Sequence, residues 1–179
     1  HVDITLDDGT VLRYHDPRRF GAMLWLPCSP TEHPLLAALG PEPLDPGFTP
    51  AYFHAALRNR SAAIKLALMD NGVVVGVGNI YANESLFRAG IRPTLPAHRV
   101  SRARAARLVD EVRAVLTEAI AKGGSTLRDY VDAKGEPGYF QLQYYVYGRD
   151  GQPCRVCGTT IRLRRLGARA SFYCPRCQT

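Results

Sequence analysis

The sequence predicts an α+β chain that ends in a small metal-bound β-hairpin. Three observations support this: apolar residues alternate near the start, recur with helical spacing through the middle, and give way to two paired-cysteine motifs within residues 154–179. The length of 179 residues suits one large domain or two small ones, and a hydrophobic fraction of 46% is ordinary for a globular protein.

The first segment has the pattern of a β-hairpin. Residues 2–6 and 11–14 alternate apolar and polar side chains, and Asp7-Asp8-Gly9 between them is a turn signal. Residues 20–26 (FGAMLWL) are a third strand candidate, preceded by the polar loop 16–19 (DPRR). We therefore expect the N-terminal segment to be rich in strands.

A proline-rich connector leads into a group of helices. Residues 27–50 hold seven of the thirteen prolines, which predicts irregular structure with one short helix near residues 35–39. Thr49-Pro50 predicts the start of a helix, because the backbone N–H that Pro lacks would have no hydrogen-bond partner within the first helical turn. The further segments with helical periodicity are 62–69, 80–89 and 101–122.

Two stretches in this region have no clear helical pattern. Residues 73–75 (VVV) are strand-like in isolation but lead into a glycine-rich turn. Residues 125–147 mix Gly, Pro and aromatic side chains, which predicts a loop between the helices and the cysteine motifs.

Two CxxC motifs, Cys154–Cys157 and Cys174–Cys177, carry four of the five cysteines. Their pattern predicts one tetrahedral Zn²⁺ held by four thiolates, and such a closed ligand set leaves no position for water, so the ion is expected to be structural. The alternative is two disulfides or redox-active cysteine pairs. Paired motifs with one spare thiol favour a reducing cytosol over secretion, and the spare Cys28 is expected to be a small buried side chain.

The net charge is concentrated on the cysteine-rich segment. Residues 154–179 contain six Arg and no acidic residue, so they carry +6 of the net +7. Such one-sided charge predicts an anionic partner, with nucleic acid as the first candidate and a membrane surface as the second. No apolar run is long enough to span a bilayer. We expect the basic hairpin to face phosphates, although a solvated basic face would have the same composition.

Three further motifs are candidates for nucleic-acid contacts. Gly78-Asn79 opens a helix after a glycine-rich turn, where free backbone N–H groups and the helix dipole favour an anion; a plain tight turn is the alternative. Arg18-Arg19-Phe20 combines cations with an aromatic wedge, unless Phe20 is a core residue. Arg58-Asn59-Arg60 and Lys65 cluster between two short helices, either as phosphate contacts or as a solvated face.

Several longer motifs occur in order along the chain: DPRRFG at 16–21, AAIK at 62–65, VGVGNIYANESLF at 75–87 and VYGRDGQPCRVCG at 146–158. Together they resemble bacterial formamidopyrimidine-DNA glycosylases, which are base-excision repair enzymes for oxidised purines. The resemblance covers nearly the whole chain. It implies an α+β fold with partial β-sandwich strands, a helix–two-turn–helix helical domain and a C-terminal β-hairpin zinc finger.

The resemblance also implies a division into four parts. Residues 1–30 would be the remnant of an N-terminal β-sandwich domain with an intercalation loop, and 31–48 a connector. Residues 49–147 would be a helix–two-turn–helix DNA-binding domain with a base-covering loop at 125–139, and 148–179 a zinc-ribbon finger. The implied cofactor is one structural Zn²⁺. The implied partner of this monomer is double-stranded DNA with oxidised bases or abasic sites, in the bacterial cytoplasm and nucleoid, without membrane contact.

Individual residues take roles from the resemblance. Arg18 and Phe20 would fill the space left when the damaged nucleotide flips out, and Arg19 would contact the backbone. Asn79 and the adjacent turn would bind phosphate. Arg169 would bind the phosphates that flank the lesion and would also act in the second elimination. The implied DNA-binding set is Arg18, Arg19, Phe20, Arg60, Lys65, Gly78, Asn79, Tyr81 and Arg169.

The catalytic amine of the family has no counterpart among these residues. In the family, an N-terminal proline attacks the sugar as an amine nucleophile, with a glutamate beside it and a lysine further along, and none of these positions matches this chain, which begins at His1. The resemblance implies a bifunctional DNA glycosylase and AP lyase as the intact protein. We expect the 179-residue chain by itself to bind damaged DNA without cleaving it.

Two other functions fit part of the pattern. A non-enzymatic zinc-ribbon module for nucleic-acid binding shares the basic hairpin but gives no reason for Arg18-Arg19-Phe20. The endonuclease VIII branch, which prefers oxidised pyrimidines, shares the architecture. The Arg18 and Phe20 wedge and the PGYF motif at 137–140 favour the purine branch.

Overall fold

The fold consists of two compact units, residues 1–37 and residues 38–179, each of which is described by itself. They are taken from a computed structural model of the chain. The residues that it describes are 1–17, 19, 21–27, 29, 33–124 and 144–179.

The first unit contains the predicted hairpin. Strand β1 (Val2–Thr5) pairs antiparallel with β2 (Val11–Tyr14), with Val2 opposite Tyr14 and Thr5 opposite Val11. Gly9 in the connecting turn has a φ of 82°, which a residue with a side chain rarely adopts. Helix α1 (Pro34–Ala37) follows near the position expected for a short helix. The prediction of an N-terminal hairpin is therefore confirmed.

The third strand predicted over 20–26 is wrong for the residues described. Residues 21–26 lie in neither a helix nor a strand, and Leu24 and Trp25 among them are exposed. A strand is held by hydrogen bonds to a neighbouring strand. The sheet of this unit contains β1 and β2 alone among the described residues, so the apolar run has no ladder to join.

Four α-helices lie among the described residues of the second unit, close to where periodicity placed them. Thr49 Oγ1 accepts a hydrogen bond from Tyr52 N at 3.1 Å, and Ser101 Oγ accepts one from Arg104 N at 3.3 Å, so both predicted helix starts carry side-chain caps. Within the described residues, no helix has both the length and the apolar character that crossing a bilayer requires. The helices are α2 (Pro50–Leu57), α3 (Ile64–Leu68), α4 (Asn79–Arg88) and α5 (Arg102–Ala121).

The core of this unit forms around the apolar stripe of α5. Leu108, Val109 and Val112 are fully buried there and belong to the same cluster as Phe48 and Phe53. Burying one such large side chain stabilises the fold by about 1.5–3 kcal/mol relative to leaving it exposed. The predicted stripe of α5 is therefore the face that holds the helices together.

The valines at 73–75 form a turn instead of a strand, in which Val73 and Val74 are buried and Val75 is half-buried. The N–H groups of Val73 and Val74 donate to Asp70 O at 2.8 and 3.1 Å, and both side chains are fully buried. Gly40 packs directly on this backbone, since a Cβ there would lie 2.6 Å from Val73 O. Apolar burial, and not strand pairing, explains the run of β-branched residues.

The C-terminal hairpin packs against α4. Strands β3 (Arg162–Leu166) and β4 (Arg169–Tyr173) are antiparallel, with Arg162 opposite Tyr173 and Leu166 opposite Arg169. Phe172 of β4 joins Phe87 of α4 in a second buried cluster. The predicted zinc-finger hairpin is therefore present and is joined to the helices through its second strand.

Candidate nucleic-acid interface and metal centre

The four paired cysteines converge at the base of the C-terminal hairpin. Their Sγ atoms all lie within 4.8 Å of one another, with Cys154 to Cys177 at 3.9 Å and Cys157 to Cys174 at 3.4 Å. Four thiolates at about 2.3 Å from one tetrahedral Zn²⁺ would stand about 3.8 Å apart. The Sγ atoms of Cys154 and Cys177, and those of Cys157 and Cys174, are too far apart for disulfide bonds, since bonded sulfurs lie about 2.05 Å apart. The site fits one structural Zn²⁺ with no open position.

The surroundings of the thiols favour a bound cation. Hydrogen bonds from Thr159 lower the pKa of Cys157 to about 6. Burial raises the pKa of both Cys174 and Cys177, so neither ionises readily by itself. A metal ion supplies the charge that turns such buried thiols into thiolates. The prediction for the fifth cysteine, Cys28, lies outside the described residues.

The glycine-rich turn before α4 leaves the start of that helix open. Gly78 is the N-cap in an extended conformation, without a side-chain cap, and Asn79 is the first helical residue. Gly76 has a φ of 74°, and a Cβ at Gly76 or Gly78 would meet nothing within 4 Å. The first N–H groups of a helix have no partner within the helix and carry partial positive charge. The turn thus presents backbone donors next to open space.

Tyr81 follows this turn but is only partly exposed, because it packs against the helical core.

Asn83 links this turn to the zinc-bearing hairpin. Its Nδ2 donates to Asn79 O at 2.6 Å, and its Oδ1 accepts from the backbone N–H of Phe172 in β4 at 2.7 Å. The side chain is buried, with 1% exposure. One amide therefore fixes the first turn of α4 against β4.

Lys65 makes a second link to β4. Its Nζ donates to Ala170 O at 2.6 Å and to Ser171 Oγ at 2.7 Å, and the residue is fully buried. Burial, followed by the nearby charge of Arg169, lowers the pKa of Lys65 to about 8. The predicted phosphate contact of Lys65 stays a prediction, and in this conformation the ammonium supports the strand that carries Arg169.

The two other basic candidates of this unit differ in their surroundings. Arg169 is the exposed first residue of β4, and no ion pair or hydrogen bond of its side chain occurs within the described parts of the chain. Arg60 donates from Nη1 to Asp70 Oδ2 at 2.6 Å and from Nε to Ala56 O at 3.2 Å. Arg169 is therefore available to an anion as it stands, whereas Arg60 would have to share its charge with Asp70.

Glu84, the neighbour of Asn83 on α4, holds the chain that enters the zinc module. Its carboxylate accepts three backbone hydrogen bonds of 2.8–3.0 Å, from Tyr145, Val146 and Tyr147. Burial raises the pKa of Glu84, and these three bonds act in the opposite direction. A buried carboxylate is stable only with such partners, so Glu84 and this segment form one unit.

Asn83 and Glu84 were missed at the level of sequence. The available signal was their position, because Asn83 and Glu84, followed by Ser85, are polar residues between the apolar residues 80–82 and 86–87 of α4. A polar pair inside an apolar helix indicates buried hydrogen-bond partners, but the pattern does not identify them.

The predicted base-covering loop at 125–139 lies outside the described residues. In the first unit, Arg19 of the predicted wedge is described, whereas Arg18 and Phe20 are not. Arg19 has a φ of 54°, in the left-handed region that non-glycine residues rarely occupy. Asp16 fixes this turn: its Oδ2 accepts from Gly21 N at 2.7 Å, and its carbonyl accepts from Arg19 N at 3.2 Å. A strained backbone held by a carboxylate is typical of a functional loop.

Two family models match the chain. The formamidopyrimidine-DNA glycosylase H2TH domain matches residues 39–131, and the zinc finger found in FPG and IleRS matches residues 151–179. The first covers the four helices, and the second covers the cysteine centre.

Curated proteins and solved structures are similar over almost the whole chain. The formamidopyrimidine-DNA glycosylase of Neisseria meningitidis serogroup A is 58% identical over 178 residues, which is 99% of this chain and 65% of that protein. The crystal structure of the MutM (Fpg) protein from Thermus thermophilus has a TM-score of 0.88 at 41% identity, covering 98% of this chain and 67% of the other. The complex of Lactococcus lactis Fpg with abasic-site DNA has a TM-score of 0.74 at 34% identity over 81% of this chain and 53% of that one. The chain thus spans about two thirds of the length of its curated relatives.

Proposed function

The chain belongs to the formamidopyrimidine-DNA glycosylase family, and we propose that it is the DNA-binding, zinc-containing part of a base-excision repair enzyme. The substrate of the intact enzyme is double-stranded DNA with oxidised purines, namely 8-oxoguanine and formamidopyrimidines, or with abasic sites. The name of the related curated proteins supports this choice over oxidised pyrimidines, and the abasic-site DNA in the Lactococcus complex supports abasic sites as ligands.

One observation carries the proposal: the Asn83 amide joins the Asn79 turn to β4, the strand that begins at Arg169. Two phosphate-binding candidates of different kinds, a helix start and a guanidinium, therefore belong to one packed unit. Helix starts and arginines both recur as phosphate ligands in protein–DNA interfaces. Gly78 and Tyr81 shape the turn in this proposal.

Arg60 and Lys65 complete the proposed DNA-binding set of the helical unit. Arg60 is partly exposed, and its bonds from Nη1 to Asp70 and from Nε to Ala56 O leave Nη2 for a phosphate. Lys65 supports β4 through its hydrogen bonds to Ala170 and Ser171. Its positive charge adds to the electrostatic attraction of phosphates to this surface.

The first unit supplies the wedge in this proposal. Arg18 and Phe20 enter the space left by the flipped nucleotide, and Arg19 contacts the backbone beside it. An inserted aromatic side chain replaces the stacking that the flipped base has lost. Phe20→Ala is expected to reduce the preference for damaged over undamaged DNA more than it reduces binding to undamaged DNA.

The metal has a structural role. Cys154, Cys157, Cys174 and Cys177 would hold one Zn²⁺, which folds the end of the chain into the hairpin that presents Arg169. All four ligands are thiolates, so the metal offers no position to a water or a substrate.

We propose AP lyase activity for the intact protein and not for residues 1–179 alone. The amine nucleophile that the family uses matches no position among these residues. Arg169 would support the second elimination by binding the departing phosphate.

The experiment measures the affinity of the zinc-loaded chain for a short duplex with a tetrahydrofuran abasic-site analogue and for the same duplex undamaged. Tighter binding of the abasic duplex is expected, and Asn79→Ala should weaken binding to both. Equal affinity for the two duplexes would contradict damage recognition and leave a plain zinc-ribbon nucleic-acid module. Borohydride trapping of chain 1–179 on an 8-oxoguanine duplex would contradict the proposal that this part does not cleave.

A further inference from the structure

A groove lies between helix α2 and the first turns of helix α5, apart from every residue of the proposed DNA interface. Its volume is about 480 Å³. Ligand sites in proteins span about 300–1,000 Å³, so the groove is large enough for several side chains of a partner. The Asn79 turn belongs to α4 and Arg169 to β4, and neither contributes to its walls.

The floor of the groove is made of small apolar side chains. Ala51 and Ala55 of α2 and Ala103 and Ala106 of α5 line it, and all but Ala106 are exposed. The outer face of a helix in a globular protein normally carries long polar residues. Here the side chains on two neighbouring helices end at Cβ, so the floor is both apolar and recessed.

The rim of the groove is positively charged. His54, Arg58 and Arg102 line it together with the alanines, and no acidic residue does. Within the described residues, the side chains of Arg58 and Arg102 make no ion pair or hydrogen bond. Helix α5 also has no acidic residue in its first turn, so the positive end of its dipole adds to the field of the groove.

We propose that this groove, lined by Ala51, Ala55, Ala103 and Ala106 and bordered by His54, Arg58 and Arg102, is a docking site for an acidic amphipathic segment of a partner protein. Its apolar side chains pack on the alanines while its carboxylates pair with Arg58 and Arg102. Recognition of a short helix in an apolar groove is a recurrent mode of peptide binding.

Duplex DNA suits this groove less well than an acidic peptide. A phosphodiester backbone would meet the rim, but its charge would lie against an apolar floor that offers it no hydrogen bonds. The alanine floor calls for aliphatic side chains, which a peptide brings and a phosphate backbone does not.

The test uses a fluorescein-labelled helical peptide as the probe, with Leu at i and i+4 spacing and Glu at most other positions. Its binding to the zinc-loaded chain is followed by fluorescence anisotropy. We expect a Kd below about 1 mM. A peptide with Ser in place of Leu loses the apolar packing, and one with Lys in place of Glu loses the ion pairs. Each should bind at least about tenfold more weakly.

Two variants locate the site on the protein. Ala55→Glu fills the floor and adds a negative charge, and Arg58→Gln removes one rim charge without filling the groove. Both positions are exposed on α2 or at its C-terminal cap. We expect Ala55→Glu to weaken peptide binding by about tenfold or more and Arg58→Gln by a smaller factor. Ala121→Glu, at the exposed end of α5 and outside the groove, is the matched control and should leave binding unchanged.

Three results would overturn the proposal. One is failure of the probe to bind below about 1 mM. Another is unchanged binding in both Ala55→Glu and Arg58→Gln, provided that circular dichroism shows native helix content. The third is weaker binding of an undamaged DNA duplex in Arg58→Gln but not of the peptide, which would assign the groove to nucleic acid instead.

Discussion

The ammonium of Lys65 lies 2.7 Å from the hydroxyl oxygen of Ser171, and both residues are fully buried. The contact joins α3 to the strand that carries Arg169, across 106 positions of sequence. A charged group so deep in the fold persists only with hydrogen-bond partners, and Ala170 O at 2.6 Å is the other one. The attachment of the zinc hairpin to the helices therefore depends on a buried polar contact as well as on apolar packing.

Lys65→Met tests this attachment. The thioether fills similar space but leaves Ala170 O and Ser171 Oγ without their donor, so we expect a loss of about 1–3 kcal/mol in the free energy of unfolding, measured by urea titration of the zinc-loaded chain. Ser171→Ala removes one acceptor while the bond to Ala170 remains, and should cost less. Equal stability of Lys65→Met and the parent would mean that packing alone holds the hairpin.

The same residue predicts a pH dependence. The pKa of Lys65 is about 8 in the fold and 10.5 ordinarily, so between these values the unfolded chain binds more protons than the folded one. Stability contributed by this group therefore rises with pH across that window. The difference in the free energy of unfolding between the parent and Lys65→Met, measured at several pH values, isolates the contribution of Lys65. A difference that stays constant from pH 8 to 10.5 would contradict the lowered pKa.

Glu84→Gln is expected to loosen the entry to the zinc module. An amide offers one oxygen where the carboxylate uses two, so its NH₂ group would face at least one of the N–H groups of Tyr145, Val146 and Tyr147. We expect a loss of about 1–3 kcal/mol and faster hydrogen exchange at these three amides. Glu111→Gln, on the neighbouring helix α5, is the control. Unchanged exchange at all three amides would show that the carboxylate is dispensable.

Arg169→Ala is expected to weaken binding to damaged and undamaged DNA by the same factor. If Arg169 neutralises one phosphate, the slope of log K against log salt becomes shallower by about 0.9 in the variant. Arg155→Ala changes an exposed arginine of the same module and serves as the comparison. The same salt slope in Arg169→Ala and the parent would remove this residue from the phosphate contacts.

Cys174→Ser is expected to unfold the hairpin while leaving the helices in place. Burial raises the pKa of Cys174, so its thiolate is favoured only when a metal ion is bound to it. A serine hydroxyl is a poor ligand in its place. Zinc content and the amide NMR signals of β3 and β4 report the hairpin, while the far-UV dichroism of α5 reports the helices. Chelation of zinc from the parent should give the same spectrum, and a folded hairpin without zinc would contradict the structural role.

The sequence by itself determined the local features of this protein. Thr49 was recognised as a helix start because capping depends on residues a few positions apart, and the helix that begins after Ser101 was recognised from its apolar periodicity. The zinc ligands were recognised because each CxxC pair binds through its own short loop. Only the tertiary structure decided what Lys65, Asn83 and Glu84 do, because the partners that join them to the C-terminal segment lie 61 to 106 positions away and no local spacing encodes them. The tertiary structure likewise decided that residues 73–75 form a turn, since Val73 and Val74 are buried in the core without strand pairing.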